Sequence, residues 1–333
     1  FIDEAKVSSG LNHPNIVQIY DFDMQDDAYY IAMEYIEGRD LRRSIDRGNK
    51  EDTPLTVPQV VHTIMEVAKG LHYAHTKTSK GEALNIIHRD VSPQNVMISF
   101  DGEIKIMDFG IAKAAARSTK TRAGTVKGKC AYMSPEQARG KDLDPRSDLF
   151  AVGVMMWEML TGRRLFAGET DFETLTNVLK ADVPSTRTIN PDVPEAVDAI
   201  LLQCLQRERE DRQKDCKEFL RALEGWYYPN VEDKEAAEMR GYMRTLFAPD
   251  IAEMQAMQAE DEQTQFLEAS EVVRARRSGS SSGMQQAISN PDIASVPETE
   301  APTIALDAAE VKAAMDKAAA AKEDATVALD LAQ

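Results

Sequence analysis

The stretch Ile87-His88-Arg89-Asp90-Val91-Ser92-Pro93-Gln94-Asn95-Val96-Met97 decides how this chain is read. It sets one carboxylate, Asp90, five residues before a side-chain amide, Asn95. Thirteen residues after Asn95 comes Asp108-Phe109-Gly110, and twenty-six after Asp108 comes Ser134-Pro135-Glu136. Val96–Ser99 and Ile104–Met107 read as short strands around a hairpin turn at Asp101-Gly102. Asn95 and Asp108 therefore fall on adjoining loops. An Asp, an Asn and a second Asp so placed suit phosphoryl transfer, which needs one group to orient and deprotonate a hydroxyl and others to hold magnesium on phosphates. Mg²⁺ takes oxygen ligands and keeps part of its water.

Outward from this stretch, the first residues, Phe1 to Leu11, read as the end of an amphipathic helix stopped by His13-Pro14-Asn15. Ile16–Phe22 and Ala28–Tyr35 read as two strands joined by the acidic turn Asp23–Asp27. From Gln59 to His75 the apolar residues Val60, Ile64, Val67, Ala68 and Leu71 recur at helical spacing. Past Asp148 helical patterns dominate to Leu223. The folded part is thus a small strand-bearing piece followed by a larger helical one.

An isolated His-Arg-Asp or Asp-Phe-Gly triplet would mean little, but the ordered set at these spacings resembles the protein kinase family, in its bacterial eukaryotic-like Ser/Thr branch, from Phe1 to about Glu224. The resemblance implies an α+β, protein-kinase-like fold: a partial small β lobe (1–36), a mainly α-helical large lobe (37–224), a helical extension (225–276), and a Ser-rich linker with a disordered acidic, Ala-rich tail (277–333). It implies ATP and Mg²⁺ as cofactors and Ser or Thr hydroxyls of proteins as acceptors. By position, Asp90 resembles the catalytic base, Asn95 and Asp108 the magnesium ligands, and Arg89 the partner of a phosphorylated activation-loop residue. His88 and Phe109 resemble members of the core column that links the lobes. Glu4 resembles the acid that pairs with the ATP-positioning lysine; read alone it is a solvated helix acid. Met33 resembles the gatekeeper, the backbone of Glu34 and Ile36 the adenine partners, and Met97 the cover of the other adenine face. Asp148 resembles the anchor of the catalytic-loop backbone, and Arg212 the ion-pair partner of Glu136. The last two features oppose a kinase of small molecules, which shares the Asp/Asn/Asp core.

The chain departs from the family pattern in two ways. The Gly-rich loop and the strand lysine are not in it; the resemblance places them upstream of Phe1, so the sequence reads as truncated at its N terminus. That absence keeps open a non-catalytic reading, a pseudokinase or scaffold, which intact Asp90, Asn95 and Asp108 oppose. The second departure is paired. Where Ser/Thr kinases carry Lys two residues after the catalytic Asp, this chain has Ser92; where they carry Thr after the activation segment's last glycine, here Gly128, this chain has Lys129. We read the lysine and the hydroxyl as exchanged, with Lys129 supplying the cation that Ser92 lacks; the bland alternative is a solvated loop lysine. The segment Asp108–Glu136 also holds six bases, Lys113, Arg117, Lys120, Arg122, Lys127 and Lys129, around Thr121 and Thr125. A phosphate there would be clamped by these cations, which makes both threonines candidate autophosphorylation sites.

Composition bounds the rest. The 333 residues carry a net charge of −17. Residues 1–224 hold 36 acids and 30 bases, whereas 225–333 hold 20 and 9, so the last third carries most of the acidity. That balance opposes sequence-unspecific nucleic-acid binding. Cys130, Cys204 and Cys216, with no Cys-x-x-Cys pair, exclude a disulfide framework or zinc ribbon and fit a reducing, cytoplasmic setting. The longest strongly apolar stretch, Leu149–Leu160, is too short to span a bilayer. In the tail Thr303-Ile304-Ala305-Leu306-Asp307 resembles Thr326-Val327-Ala328-Leu329-Asp330. The repeat reads as low-complexity sequence or as docking for a phosphothreonine-reading partner.

Overall fold

The computed structural model describes residues 10–25, 28–109, 129–259 and 304–306. Residues 10–246 and 304–306 belong to one compact unit, and 247–259 to a second. The first unit opens with strands β1 (Ile19–Gln25) and β2 (Ala28–Met33), paired antiparallel from Gln25↔Ala28 to Ile19↔Met33. β1 starts three residues later than its apolar run predicts, because Ile16 and Val17 pair instead with the strand segment at Ile106. Ile16 bridges Ile106, Val17 N–H donates to Ile106 O at 2.9 Å, and Ile106 N–H donates to Asn15 O at 2.9 Å.

After Met33 the chain crosses residues 34–37 and enters β3 (Gly38–Asp40). Asp40 caps helix α1 (Leu41–Lys50) by accepting the Arg43 N–H. Helix α2 (Val57–His75) opens on a capping box in which Thr56 and Gln59 satisfy each other's backbone N–H. Val60, Ile64, Val67, Ala68 and Leu71 are fully buried, as their spacing requires. Each contributes on the order of 1–3 kcal/mol of transfer free energy. A two-stranded ribbon, β4 (Thr78–Ser79) and β5 (Glu82–Ala83), precedes the decisive stretch.

That stretch leads through a turn over Pro93–Asn95 into β6 (Val96–Ser99) and β7 (Ile104–Ile106), which form a sheet of order β3-β6-β7. Gly102 turns the β6–β7 hairpin at φ +90°, a conformation that strains any residue with a Cβ.

The helical part contains α3 (Pro135–Ala138), α4 (Pro145–Thr161), α5 (Asp171–Lys180), α6 (Glu195–Cys204) and α7 (Cys216–Asn230), with α8 (Lys234–Ala237) and α9 (Met239–Leu246) following. α4 is buried on every side from Ser147 to Leu160, which explains why Leu149–Leu160 shows no polar face. The acid within that apolar run, Glu158, accepts the Tyr132 hydroxyl at 2.7 Å and pairs with Arg164 at 3.1 Å. Gly162, at φ +65°, ends the helix.

The class is the expected α+β, a small strand-bearing piece leading into a mainly helical one. The first tail repeat takes part in it: β8 (Ile304–Leu306) pairs antiparallel with β2 in the register Tyr29↔Leu306, Tyr30↔Ala305 and Ile31↔Ile304. In the second unit residues 248–259 are helical. No helix among the described residues is long and apolar enough to cross a membrane.

Candidate active site

The loop before β6 and the loop after β7 meet at the open end of their hairpin. Asn95 is buried there, and its amide nitrogen donates to Asp90 O at 2.7 Å and to Asp90 Oδ2 at 3.3 Å. Its main-chain carbonyl accepts the Met107 N–H at 3.0 Å, one residue before Asp108. Asp90, Asn95 and the Asp108 loop are therefore one hydrogen-bonded assembly. Because the Asn95 nitrogen is committed to Asp90, its amide oxygen is the atom left to face a cation.

His88 joins the same two loops from below. Its Nδ1 accepts the Asp90 N–H at 3.3 Å, so the proton lies on Nε2, which donates to Met107 O at 2.9 Å. The His88 ring is fully buried and packs against Phe109 with centroids 4.6 Å apart. Arg89 and Asp108 both adopt positive φ, +65° and +62°. Such backbone persists only where its surroundings over-determine it.

Asp148, near the start of α4, supplies that restraint for Arg89. Its Oδ2 accepts the His88 N–H at 2.8 Å and its Oδ1 the Arg89 N–H at 2.7 Å. His75, at the end of α2, adds Nε2 at 2.8 Å from Asp148 Oδ2, and Cys216 Sγ lies 3.7 Å from His75 Nδ1. Burial would push the Asp148 carboxyl up, but the His75 hydrogen bond and charge, with the His88 N–H, outweigh it and hold it below the usual carboxylate range. Burial likewise opposes charge on His75, yet the Cys216 sulfur and the Asp148 carboxylate push its pKa up to about 10. Gln137 of α3 donates Nε2–H to Arg89 O at 2.9 Å and steadies the loop from the other side.

At the strand-lobe edge, Met33 ends β2 and borders an apolar crevice with Ile16, Ile19, Ile106, Asp108 and Phe109. The Glu34 N–H donates to Gln18 O at 2.8 Å. The Glu34 carboxylate is held by Lys105 of β7 at 2.5 Å and by the Gln18 N–H at 3.2 Å. Ile36 is half-buried in the same segment, and Met97 is half-buried on β6 opposite Asp40 and Lys105.

Arg212 pairs with Glu136 through two hydrogen bonds of 2.8 Å. Ser92 is 3% exposed, and its hydroxyl has no hydrogen-bond partner among the described residues. Lys129 opens a short turn, Lys129–Tyr132; its side chain lies outside the described set, as do Glu4, Thr121 and Thr125.

Sequence reasoning did not foresee His75, Cys216, Lys105 or Gln137. His75 falls four residues after Leu71 on the apolar stripe of α2, the one available signal that it has a partner; the other three carry no local mark.

Residues 1–222 match the profile of the protein kinase domain. The chain is 40% identical over 248 residues to the tyrosine-protein kinase MasK of Myxococcus xanthus, covering 74% of this chain and 38% of that protein. It is 38% identical over 224 residues to the serine/threonine-protein kinase PrkC of Bacillus subtilis, covering 65% and 33%. It is 36% identical over 250 residues to the serine/threonine-protein kinase pkn3 of Myxococcus xanthus, covering 72% and 43%. The chain thus spans less than half the length of these curated relatives. Among solved structures, the kinase domain of PknI from Mycobacterium tuberculosis is similar with a TM-score of 0.51 and 27% identity, over 68% of this chain and 76% of that one.

Proposed function

Since the chain belongs to the protein kinase family, we propose that it transfers the γ-phosphate of ATP to Ser or Thr hydroxyls of proteins. The observation that carries this reading is the Asn95 amide bonded to Asp90 while the Asn95 carbonyl holds the Asp108 loop. Asp90 Oδ2, oriented by that amide, accepts the proton of the attacking hydroxyl. The Asn95 amide oxygen and the Asp108 carboxylate are hard oxygen donors on the two chain segments that meet at the open end of one hairpin, a set that fits Mg²⁺. The bound ion would neutralise charge on the ATP phosphates. Adenine would meet the Glu34 carbonyl and the Ile36 backbone, between Met33 and Met97.

Arg89 would clamp a phosphate on Thr121 or Thr125, and Glu4 would hold the ATP-positioning lysine. Lys129 would place an ammonium beside Asp90 in the space that Ser92 does not fill. Ser92, buried and without a partner among the described residues, is the support for that exchange. The tail threonines Thr303 and Thr326 remain candidates for a phosphothreonine-reading partner. The same reading puts the catalytic part in the cytoplasm, with ATP.

One observation favours a second acceptor. The usual Ser/Thr marker lysine is Ser92 here, and one relative is named a tyrosine-protein kinase. Incubating the full-length protein with γ-labelled ATP and identifying the labelled amino acids tests both readings. Phosphoserine or phosphothreonine that vanishes in Asp90→Asn supports the first, and phosphotyrosine alone the second. No label with any acceptor refutes both and leaves a non-catalytic module.

A further inference from the structure

Helix α9 lies beyond the residues that match the kinase domain, yet it is built into the same unit. Met239 and Met243 are fully buried and Leu246 nearly so. Its polar residues grip two elements that flank the nucleotide site. Arg240 Nε donates to Asp101 O at 3.1 Å, and Arg244 pairs with Asp101 Oδ1 at 2.7 Å, both at the closed end of the β6–β7 hairpin. The Tyr242 hydroxyl is shared between Thr53 O at 3.2 Å and Ser44 O at 3.4 Å, and the Ser44 hydroxyl meets Met243 Sδ at 3.6 Å. Burial pushes the Tyr242 phenol up to about 12, so it stays a neutral donor.

The receiving surface is shaped for this helix at two glycines. Gly48 lies inside α1, where glycine is unfavourable for a helix. A Cβ there would fall 2.1 Å from the Tyr242 hydroxyl and 2.9 Å from Thr53 O. A Cβ on Gly102 would fall 2.7 Å from Arg240 N. Both positions admit α9 only because they lack a side chain.

The two gripped elements have defined relations to the site. α1 starts immediately after β3, the strand that leaves the segment holding Glu34 and Ile36. The hairpin carries both Asn95 and Asp108 at its open end, and α9 holds the turn at its closed end. We propose that Met239–Leu246 is a strap in cis whose residues Arg240, Tyr242 and Arg244 are positioning residues: they fix the hairpin against α1 and thereby set the affinity for magnesium-bound nucleotide.

This inference rests on the kinase reading, and its test separates the two. Binding of Mg·ADP to the full-length protein is measured by calorimetry for the wild type, Tyr242→Ala/Arg244→Ala and Gly48→Ala. The strap predicts at least five-fold weaker binding in both variants, with kcat at saturating ATP changed less than two-fold. It also predicts that adding Tyr242→Phe to Gly48→Ala restores binding and thermal stability in part, because the phenol oxygen is the nearest obstacle to the new Cβ. If Tyr242→Ala/Arg244→Ala does not fold, Tyr242→Phe/Arg240→Ala replaces it with the same expectation. Folded variants that bind Mg·ADP like the wild type overturn the strap alone, whatever their stability. A wild type that binds no Mg·ADP overturns the kinase reading and the strap with it.

Discussion

Arg212 meets Glu136 through two parallel hydrogen bonds of 2.8 Å, and every other N–H of the guanidinium is also taken. Nε donates to Gln206 O, one Nη to Arg146 O and the other to Arg207 O. Ser147 donates its hydroxyl to the same carboxylate, and the guanidinium lies 4.7 Å from the Phe150 ring centre. Burial would push the Glu136 carboxyl up, but Arg212 and Ser147 outweigh it and hold it below the usual range. Removing one partner leaves a charge buried without its counter-ion, so Glu136→Gln and Arg212→Met should each cost about 3–5 kcal/mol in urea unfolding. Replacing both with apolar residues should cost less than the sum of the singles. Additive losses would show that the two groups do not act as a pair.

The His75–Asp148 pair sets a pH dependence of stability with two limbs. The folded-state pKa of His75, about 10, lies above its unfolded value of 6.5, so its contribution is complete below 6.5 and is lost as pH rises toward 10. Asp148 is depressed below 3.8, so its contribution holds above that value and is lost as pH falls through the lower folded value. His13, His62 and His72, whose pKa values burial lowers, act in the opposite sense near pH 6.5. The informative quantity is therefore the difference between wild type and His75→Gln. That difference should be greatest between about pH 4 and 6.5 and shrink at alkaline pH, by at most about 1.4 kcal/mol per pH unit. A difference constant from pH 5 to 10 would rule out a charged His75.

How much of this was legible in sequence depends on distance along the chain. Asp90, Asn95 and Asp108 are brought together by one loop and one hairpin, and the Asp101-Gly102 turn marks that hairpin locally. The partners of His75 lie 73 and 141 residues away, and nothing near His75 names them. Lys105 carries no local mark of its partner, Glu34, which lies 71 residues away. β1 starts later than the apolar run predicts because alternation cannot say which neighbour a strand's first residues will pair with. Gly48 looks like a weak point in α1, and only the approach of Tyr242 gives it a reason.

Two substitutions separate proton acceptance from cation binding. Asp90→Asn keeps the shape but removes the base, so turnover should fall by about 10²–10⁴-fold while Mg·ADP still binds. Asp108→Asn removes a hard, charged oxygen ligand, so the magnesium dependence of ADP binding should be lost. Titrating both variants with ADP, with and without Mg²⁺, checks the assignment. Loss of magnesium-dependent binding in Asp90→Asn alone would reverse the two roles.

The exchange between Ser92 and Lys129 makes the most specific demand on the site. A buried hydroxyl without a partner among the described residues contributes nothing to stability, so Ser92→Ala should leave the unfolding midpoint unchanged or slightly raised. If the Lys129 ammonium acts beside Asp90, Lys129→Ala should lower kcat ten-fold or more, with little change in Mg·ADP affinity. An ammonium there matters only while charge develops on the transferring group. Ser92→Lys in the Lys129→Ala background should return part of the lost kcat, because it brings the cation back from the other side of the same space. A Lys129→Ala protein that turns over at the wild-type rate would remove Lys129 from the mechanism. A Lys129→Ala loss that Ser92→Lys cannot relieve would leave Lys129 with a role in the segment's own conformation and not in phosphoryl transfer.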